Sequence, residues 1–426
     1  MNLPRRAHST SRAFSSPCHV VVSILIMSFM IVAGGCAGPP PAAAQCTREQ
    51  IRDVLEPASS GDAQVMVYCS LTIPINYRKP ITKRLIVLGS PGSGVTINCN
   101  GATIDGSAVP ELSQENSRKD MILITSRITG DAASPTWSRP TDVTVKNCKI
   151  IGSVRAGRAI TDDLRDSSYA PGYTTRMRRI APTRITFDNL TITARAHTPV
   201  FIGAGVTYTK LIRSELKGEA ESVAVYLEAE SSRNLIEGNY IHTVTPREVL
   251  AVDASDGNEI IDNRFSALSR GGIYLYRNCG EHGVVRYTTP SYNTIVNNVF
   301  YYNKYNPGLG SEKPSVYMGS RNGNRDYCGK DSGHPAGSGA SDLDYAQHNV
   351  VMQNQIYKLP VGLMIKEGRA TDSPNYIEYN TTVTTPIPRL AGCYVGTGYL
   401  KDFILNGESI EISGRRYTCH DGELAV

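Results

Sequence analysis

The sequence predicts an all-β solenoid, a right-handed parallel β-helix in which short strands stack coil on coil. Two patterns that recur at the same interval predict it, together with a composition suited to strands and turns. Charged residues are only 19% of the 426, while Gly, Asn, Ser, Thr and Tyr are plentiful. That balance excludes a coiled coil and a disordered chain. A chain this long exceeds one compact core, but a solenoid can grow because each repeat buries its face on the next.

The first pattern is a phrase: an apolar residue, two residues, Asn or a substitute, one residue, another apolar residue. It reads Val145 to Ile150 around Cys148, Phe187 to Ile192 around Leu190, and Leu211 to Leu216 around Ser214. It continues around Asn239, Asn263, Asn298, Asn354 and Asn380. From position 190 the steps are 24, 25, 24, 35, 56 and 26 residues. The base period of 24–26 residues holds three short strands and three turns, and the two long steps are insertions. Asn tolerates left-handed backbone, and its amide can bond the Asn of the next coil, so Asn239, Asn263, Asn298 and Asn354 are expected to stack in one turn column.

The second pattern is a strand that follows each phrase: Val200–Gly203, Val225–Glu228, Leu250–Asp253, Ile273–Tyr276, Val316–Gly319, Leu363–Lys366 and Cys393–Gly396. Apolar residues occupy the first and third places, so these face the bore and the second and fourth face outward. The second-place column is then Phe201, Tyr226, Ala251, Tyr274, Tyr317, Met364 and Tyr394, a mostly aromatic stripe suited to the apolar faces of sugar rings. The same rings could equally serve to pair across coils. The fourth-place column is Gly203, Glu228, Asp253, Tyr276, Gly319, Lys366 and Gly396, with Glu230, Ser255, Asn278 and Arg321 two positions further out. A solvated sheet face is the plain reading of such charges. Two features favour a site: Glu228 and Asp253 are stacked like charges that a cation or a shared proton would relieve, and the flanking glycines leave room for a ligand. Insertions after Tyr276 and after Gly319 leave the same edge, where binding loops of solenoids gather. His282 and His334 lie on them, where a lone His is ordinarily solvated.

Outside the repeat, Arg5, Arg6 and Arg12 precede an apolar run from Val20 to Ala33, too short to span a bilayer comfortably but suited to a signal peptide. Cleavage before Cys36 in Ala33-Gly34-Gly35-Cys36 would leave a lipid-anchored protein, and cleavage after Ala44 a soluble one. Loss of residues 1–44 removes three Arg and no acid, lowering the net charge from +5 to +2, which is weak support for a polyanionic partner. No nucleic-acid motif is present. Eight of the ten cysteines lie beyond the leader, an even number suited to an oxidising compartment, and their spacing does not suit zinc. Cys279 is expected to bond Cys328 across the two insertions, with Cys46–Cys69, Cys99–Cys148 and Cys393–Cys419 as further pairs. The domain reading is signal peptide and tether 1–44, N-terminal cap region 45–90, parallel β-helix 91–400 and C-terminal cap 401–426.

The repeat resembles the right-handed parallel β-helix family that includes the pectate-lyase-like enzymes, over roughly residues 90–400. The resemblance implies fold more than activity, because lyases, hydrolases, epimerases and non-catalytic proteins share it. Together with the leader it points to an exported, monomeric protein whose partner is a polysaccharide, placed in the bacterial periplasm, anchored to the outer membrane through Cys36, or secreted. The favoured expectation is a lyase that cleaves a uronate-containing polysaccharide by β-elimination. That reaction needs a base, a cation on the uronate carboxylate and a proton for the leaving oxygen. Glu228, Asp253, Tyr276, Arg321 and Lys366 are the candidate catalytic residues. Tyr226, Glu230, Tyr274, Arg277, Tyr317, Arg369 and Tyr394 are the candidate substrate-binding residues. Glu228, Glu230 and Asp253 could hold a Ca²⁺, a hard ion that prefers several oxygens. Lys366 is similar to the base of alginate- and chondroitin-lyase β-helices, but there an Arg sits a coil later, whereas Arg321 is a coil earlier and Arg369 is on the same coil. One alternative is a glycoside hydrolase using Glu228 and Asp253, although the polygalacturonase motifs are absent, as are those of pectate lyases and mannuronan epimerases. The other is a non-catalytic, glycan-binding or scaffolding envelope lipoprotein.

Overall fold

The structure is a computed structural model. It describes residues 42–112, 120–131, 135–157, 168–278, 284–302, 313–320, 346–368, 374–385, 392–395, 402–405, 407–412, 415–420 and 423–425. Alternation of inward aliphatic and outward polar residues over three-residue stretches folds this chain into three long sheets. The first has ten strands, from Gln64–Met66 to Ile365–Glu367; the second has ten, from Leu71–Thr72 to Tyr376–Glu378; the third has nine, from Thr103–Asp105 to Thr381–Val383. Each coil visits the second, third and first sheet in turn, and every strand pairs in parallel with its equivalent one coil away. The bore is filled by the first- and third-place residues, such as Val225, Leu227, Leu250, Val252, Ile273 and Leu275, all fully buried. Phe265 and Phe300 stack in it with ring centres 5.1 Å apart.

The turn between the second and third sheets is the same in successive coils. The Asn239 amide donates to Asn263 Oδ1 (2.9 Å), Asn263 to Asn298 (3.0 Å), Asn298 to Asn354 (3.0 Å) and Asn354 to Asn380 (2.9 Å). The expected ladder therefore forms. The left-handed residue is not the ladder Asn but the one before it: Gly238, Asp262, Asn297, Gln353 and Tyr379 have φ of 56–64°. That residue turns the chain and delivers the following amide into the wall. A second ladder, not anticipated, runs at the start of the second sheet through Asn234, Asn258, Asn293, Asn349 and Asn375.

The parallel strand ladders run from Gln64 to Val383, and an isolated parallel bridge joins Gln45 to Ser70 ahead of them. Helix α1 (Arg48–Leu55) covers the N-terminal end, capped by Thr47, whose hydroxyl accepts the Gln50 N–H at 3.3 Å while Gln50 returns a bond to the Thr47 N–H. Val54 on α1 is buried against the first coils, and Lys83 ties the helix down through Asp53 at 2.9 Å. Two strand assignments need correction. Gly392–Val395, which carries Tyr394, pairs antiparallel with Asp402–Leu405 and is not a coil of the solenoid. Val361–Met364 forms a helical turn after Pro360, so the next strand begins at Ile365 and Lys366 pairs with Tyr317. A shift of two leaves the in–out alternation unchanged, so the aliphatic pattern could not reveal it.

Cys46–Cys69, Cys99–Cys148 and Cys393–Cys419 are bonded. Cys279 and Cys328 lie outside the described residues, as do the leader, Cys36, His282, His334, Arg321 and Arg369. Among the described residues no helix is long and apolar enough to cross a membrane.

Candidate active site on the first sheet

The outward stripe of the first sheet is set by strand register. Arg155, Phe201, Tyr226, Ala251, Tyr274, Tyr317 and Lys366 follow one another on seven successive strands. Six steps of about 4.8 Å make a stripe roughly 29 Å long. Phe201 and Tyr226 are tilted with ring centres 5.1 Å apart, and Tyr274 and Tyr317 are 5.3 Å apart. Buried Ala251 separates the two pairs. A cation stands at each end: Arg155 lies 3.8 Å over the Phe201 ring, held by Asp120 at 2.8 Å, and Lys366 is exposed beside Tyr317. Lys366 thus belongs to the aromatic column and Met364 does not.

The neighbouring column points outward but is not open to solvent. Two insertions close over it. One carries helix α2 (Tyr173–Ile180), whose Tyr173, Met177 and Ile180 repeat at helical spacing and pack with Ala204 and Val284. The other passes through Val284 to Thr288. Glu230 clamps the two together. Its carboxylate accepts from Thr174 Oγ1 (2.5 Å), Thr288 Oγ1 (2.5 Å) and the Tyr287 N–H (2.7 Å), and its carbonyl accepts from Arg178 Nε (2.9 Å). Glu230 is fully buried, so this geometry makes it a fastening rather than a sugar or metal ligand. Arg178 also pairs with Asp256.

Asp253 is likewise fully buried. It accepts from Tyr226 OH (2.5 Å), the Asn278 N–H (2.9 Å) and Arg286 Nη1 (2.9 Å). The same Arg286 nitrogen lies 3.5 Å from the Tyr226 oxygen. Tyr276 pairs with Asp253 in register, is 1% exposed, donates to Glu248 (2.8 Å) and accepts from Arg247 (2.9 Å). Arg277 is buried and donates to the Arg286 carbonyl at 3.4 Å. Glu228 is 7% exposed and accepts the Ala204 N–H at 3.0 Å. Burial pushes the Glu228 carboxyl above its ordinary range, and Asp253 nearby adds to this; Arg286, Arg155 and the Ala204 N–H oppose it. Burial first, then Asp253, drives the Tyr226 phenol well above its usual value, so it holds its proton at neutral pH.

The flanking glycines do not leave room for a ligand. A Cβ on Gly319 would stand 2.6 Å from the Tyr317 hydroxyl, and one on Gly203 would meet Gly157 Cα at 3.2 Å. Among the described residues no group of three His, Cys, Asp or Glu side chains is placed to hold a metal ion, so Glu228, Glu230 and Asp253 do not assemble into the expected Ca²⁺ site. Each faces its own donors. Arg286, Arg247 and Glu248 were not legible as site residues, because all three lie outside the two columns. Helix α2 did carry a signal, the i, i+4, i+7 spacing of Tyr173, Met177 and Ile180.

What the arrangement can do chemically centres on Tyr226. It is half-buried on the open stripe, while its hydroxyl reaches back to a buried, arginine-paired carboxylate. Such a phenol, turned inward against that carboxylate, can pass its proton to it.

Residues 136–301 match the family described as right handed beta helix region. No curated protein matches the sequence. Among solved structures, a Streptococcus pneumoniae surface protein and adhesin, PfbA, is similar at 11% identity and a TM-score of 0.33, covering 69% of each chain. An alginate lyase, AlyF-OU02, solved in complex with G6, is similar at 10% identity and a TM-score of 0.30, covering 89% of this chain and 90% of that one. The catalytic domain of a GH87 alpha-1,3-glucanase in complex with tetrasaccharides is similar at 9% identity and a TM-score of 0.25, covering 76% of this chain and 60% of that one. Likenesses this distant say nothing about chemistry; the matched region and the three parallel sheets make the chain a right-handed parallel β-helix.

Proposed function

We propose that this is an exported polysaccharide-active protein that holds an acidic chain along the first-sheet stripe and cleaves it by β-elimination. The observation that carries the reading is Tyr226, whose ring lies half-buried on the stripe while its hydroxyl is turned inward, bonded to Asp253 and near Arg286. Aromatic faces suit sugar rings, and Arg155 and Lys366 suit the carboxylates of sugars toward either end.

The proton moves as follows. The phenolic oxygen of Tyr226 takes the proton beside the uronate carboxylate as its own proton passes to Asp253. The released electron pair becomes the new carbon–carbon double bond, and the bond to the leaving oxygen breaks. Tyr226 then gives its proton to that oxygen and recovers one from Asp253. No free phenolate is needed, which matters because burial makes one costly, and Arg286 offsets charge that develops on the phenol. The hydrolase alternative is less favoured: Glu228 and Asp253 are both buried and bonded, and neither faces a place for an attacking water. The same burial supports one second reading, a binding protein that uses the stripe without turnover.

Incubation with alginate, polygalacturonate, chondroitin and neutral glucans distinguishes these, read at the ultraviolet band of unsaturated uronates and by reducing ends. An ultraviolet product that falls about 100-fold or more in Tyr226→Phe is expected. Reducing ends without that band would point to hydrolysis. Retention without either product would leave binding alone, and wild-type turnover by Tyr226→Phe would end the relay.

The three disulfides accord with an oxidising compartment. The Ala43 N–H bonds Gly94 O at 3.1 Å and the Ala44 carbonyl accepts the Ser70 N–H at 2.7 Å, so these residues are stitched to the first coils. A mature chain starting at Cys36 keeps those bonds, which favours lipid anchoring over release at Gln45.

A further inference from the structure

A second column of side chains leaves the solenoid at the corner between the first and second sheets. It runs Asp142, Arg184, Tyr208, Arg233, Gly257, Tyr292 and His348, one residue per coil, each at φ of 55–63°. Pairing of Thr141, Thr183, Thr207, Ser232 and Asp256 fixes the alignment of the first five, and the Asn234–Asn258–Asn293–Asn349 ladder that of the rest.

The residue types are unexpected for that backbone. Left-handed φ favours Gly, Asn, Asp and His. The equivalent column at the next turn obeys this in five of eight coils, with Asn147, Asn189, Gly238, Asp262 and Asn297 beside Arg213, Gln353 and Tyr379. The corner column, which Gly94 (φ 72°) opens one coil before Asp142, obeys it at Gly94, Asp142, Gly257 and His348 but places Arg184, Tyr208, Arg233 and Tyr292 on the same backbone. Nothing in the core calls for the larger side chains, because all of them point outward. Tyr208 is 46% and Tyr292 65% exposed, and Arg184, Arg233 and His348 are exposed too. Strain kept in an exposed strip, where the larger side chains meet one another and not the core, is the mark of a surface that does something.

The strip is ordered rather than scattered. Arg233 bonds the Tyr208 hydroxyl and lies 5.6 Å from its ring centre. Tyr292 and His348 are stacked 4.9 Å apart and nearly parallel, at 9°. Arg184 grips Asp142 with two bonds of 2.7 Å. Between the two aromatic platforms Gly257 leaves a gap, and Tyr208 to Tyr292 is three strand steps, roughly 14 Å. One sugar unit of an extended chain spans about one step, so two ring faces three steps apart, with a cation and a gap between them, fit a chain laid along the solenoid axis.

We infer that this corner is a second polysaccharide-binding site, separate from the first-sheet stripe, which holds a chain on the outside of the coils. It shares only the class of ligand with the function proposed above and does not depend on catalysis. The test uses the full chain in affinity electrophoresis through gels holding alginate, polygalacturonate, chondroitin sulfate or a neutral β-glucan. A corner variant, Tyr208→Asn with Tyr292→Asn and His348→Asn, is compared with a stripe variant, Tyr274→Ala with Tyr317→Ala. Asn suits the left-handed backbone, so the corner variant should melt at or above the wild-type temperature while its retention falls about tenfold. Retention within twofold of wild type would overturn the proposal. So would a lowered melting temperature, which would make the rings structural, and so would a wild-type protein that none of the gels retards. Loss in the stripe variant alone would leave the function proposed above standing and remove this site; loss in the corner variant alone would do the reverse.

Discussion

Two turns of the same coil follow opposite rules. The turn between the second and third sheets is two residues long and repeats with little change: a left-handed residue, then an Asn or substitute whose side chain bonds the next coil. The turn that follows first-sheet strands is variable. It is five to eight residues in plain coils, seven at Gly203–Thr209, but it expands after Thr125, Ala156, Tyr276 and Met318. The first kind of turn is set by hydrogen bonds repeated from coil to coil, so it stays at two residues from Asn147 onward and is longer before that, between Asn98 and Thr103. The second opens on the surface, and there the chain placed α2, Arg286 and the Glu230 clamp. A solenoid can therefore hold stability and chemistry on separate edges of one repeat.

That separation can be broken at four places. The largest effect is expected where the variable turn has itself become buried. Asp253→Asn removes the carboxylate bonded to the Arg286 guanidinium, 3% exposed on its side chain, and should lower stability by about 3–5 kcal/mol as well as abolish turnover. Denaturant unfolding that finds no loss would mean the insertions do not cover this column. Next is Asn298→Ala. It strips a partner from the Asn263 N–H (3.0 Å) and from the Ile260 carbonyl (2.8 Å), both inside the wall, and should cost about 3 kcal/mol. A cost under about 1 kcal/mol would demote the ladder from support to decoration.

Gly238→Ala sharpens the same turn. A Cβ there meets nothing within 4 Å, so the cost comes from φ of +64° alone and should be about 1 kcal/mol. A stabilised variant would show that the left-handed position is not a constraint. The smallest effect is a difference between pH curves. Burial raises the Glu228 carboxyl above its ordinary 4.5. The fold therefore binds that proton more tightly than the unfolded chain does. Its contribution is complete below the unfolded value and is lost as pH rises through the folded one. Relative to Glu228→Gln, the wild-type melting temperature should decline on raising pH above about 4.5; parallel curves would show that Glu228 is ionised in the fold at no cost.

The repeat was legible because its causes are local. Alternating aliphatics at Val225 and Leu227, or Ile273 and Leu275, report which side of a strand faces the bore, and Asn at fixed spacing reports a turn that needs both its backbone and its amide. The cysteine pairs Cys46–Cys69, Cys99–Cys148 and Cys393–Cys419 followed from neighbouring coils or segments. Burial of the site column was not legible. Glu228, Glu230, Asp253 and Tyr276 do point away from the bore, as alternation says, but whether an outward residue meets water depends on what crosses above it, and α2 comes from a segment more than 50 residues before Asp253.

By itself, then, the sequence determined the coil, its period, the bore residues, the ladder column and the side of the sheet on which the variable loops rise, since each follows from chain-local hydrogen bonding and a two-residue alternation. Only the tertiary structure decided that Tyr276 is buried while the Tyr226 hydroxyl reaches Asp253, that Lys366 stands in line with Tyr317, and that Asp253 is paired with Arg286. Those outcomes depend on register across coils and on insertions meeting over the sheet, and neither distance along the chain nor residue type encodes them.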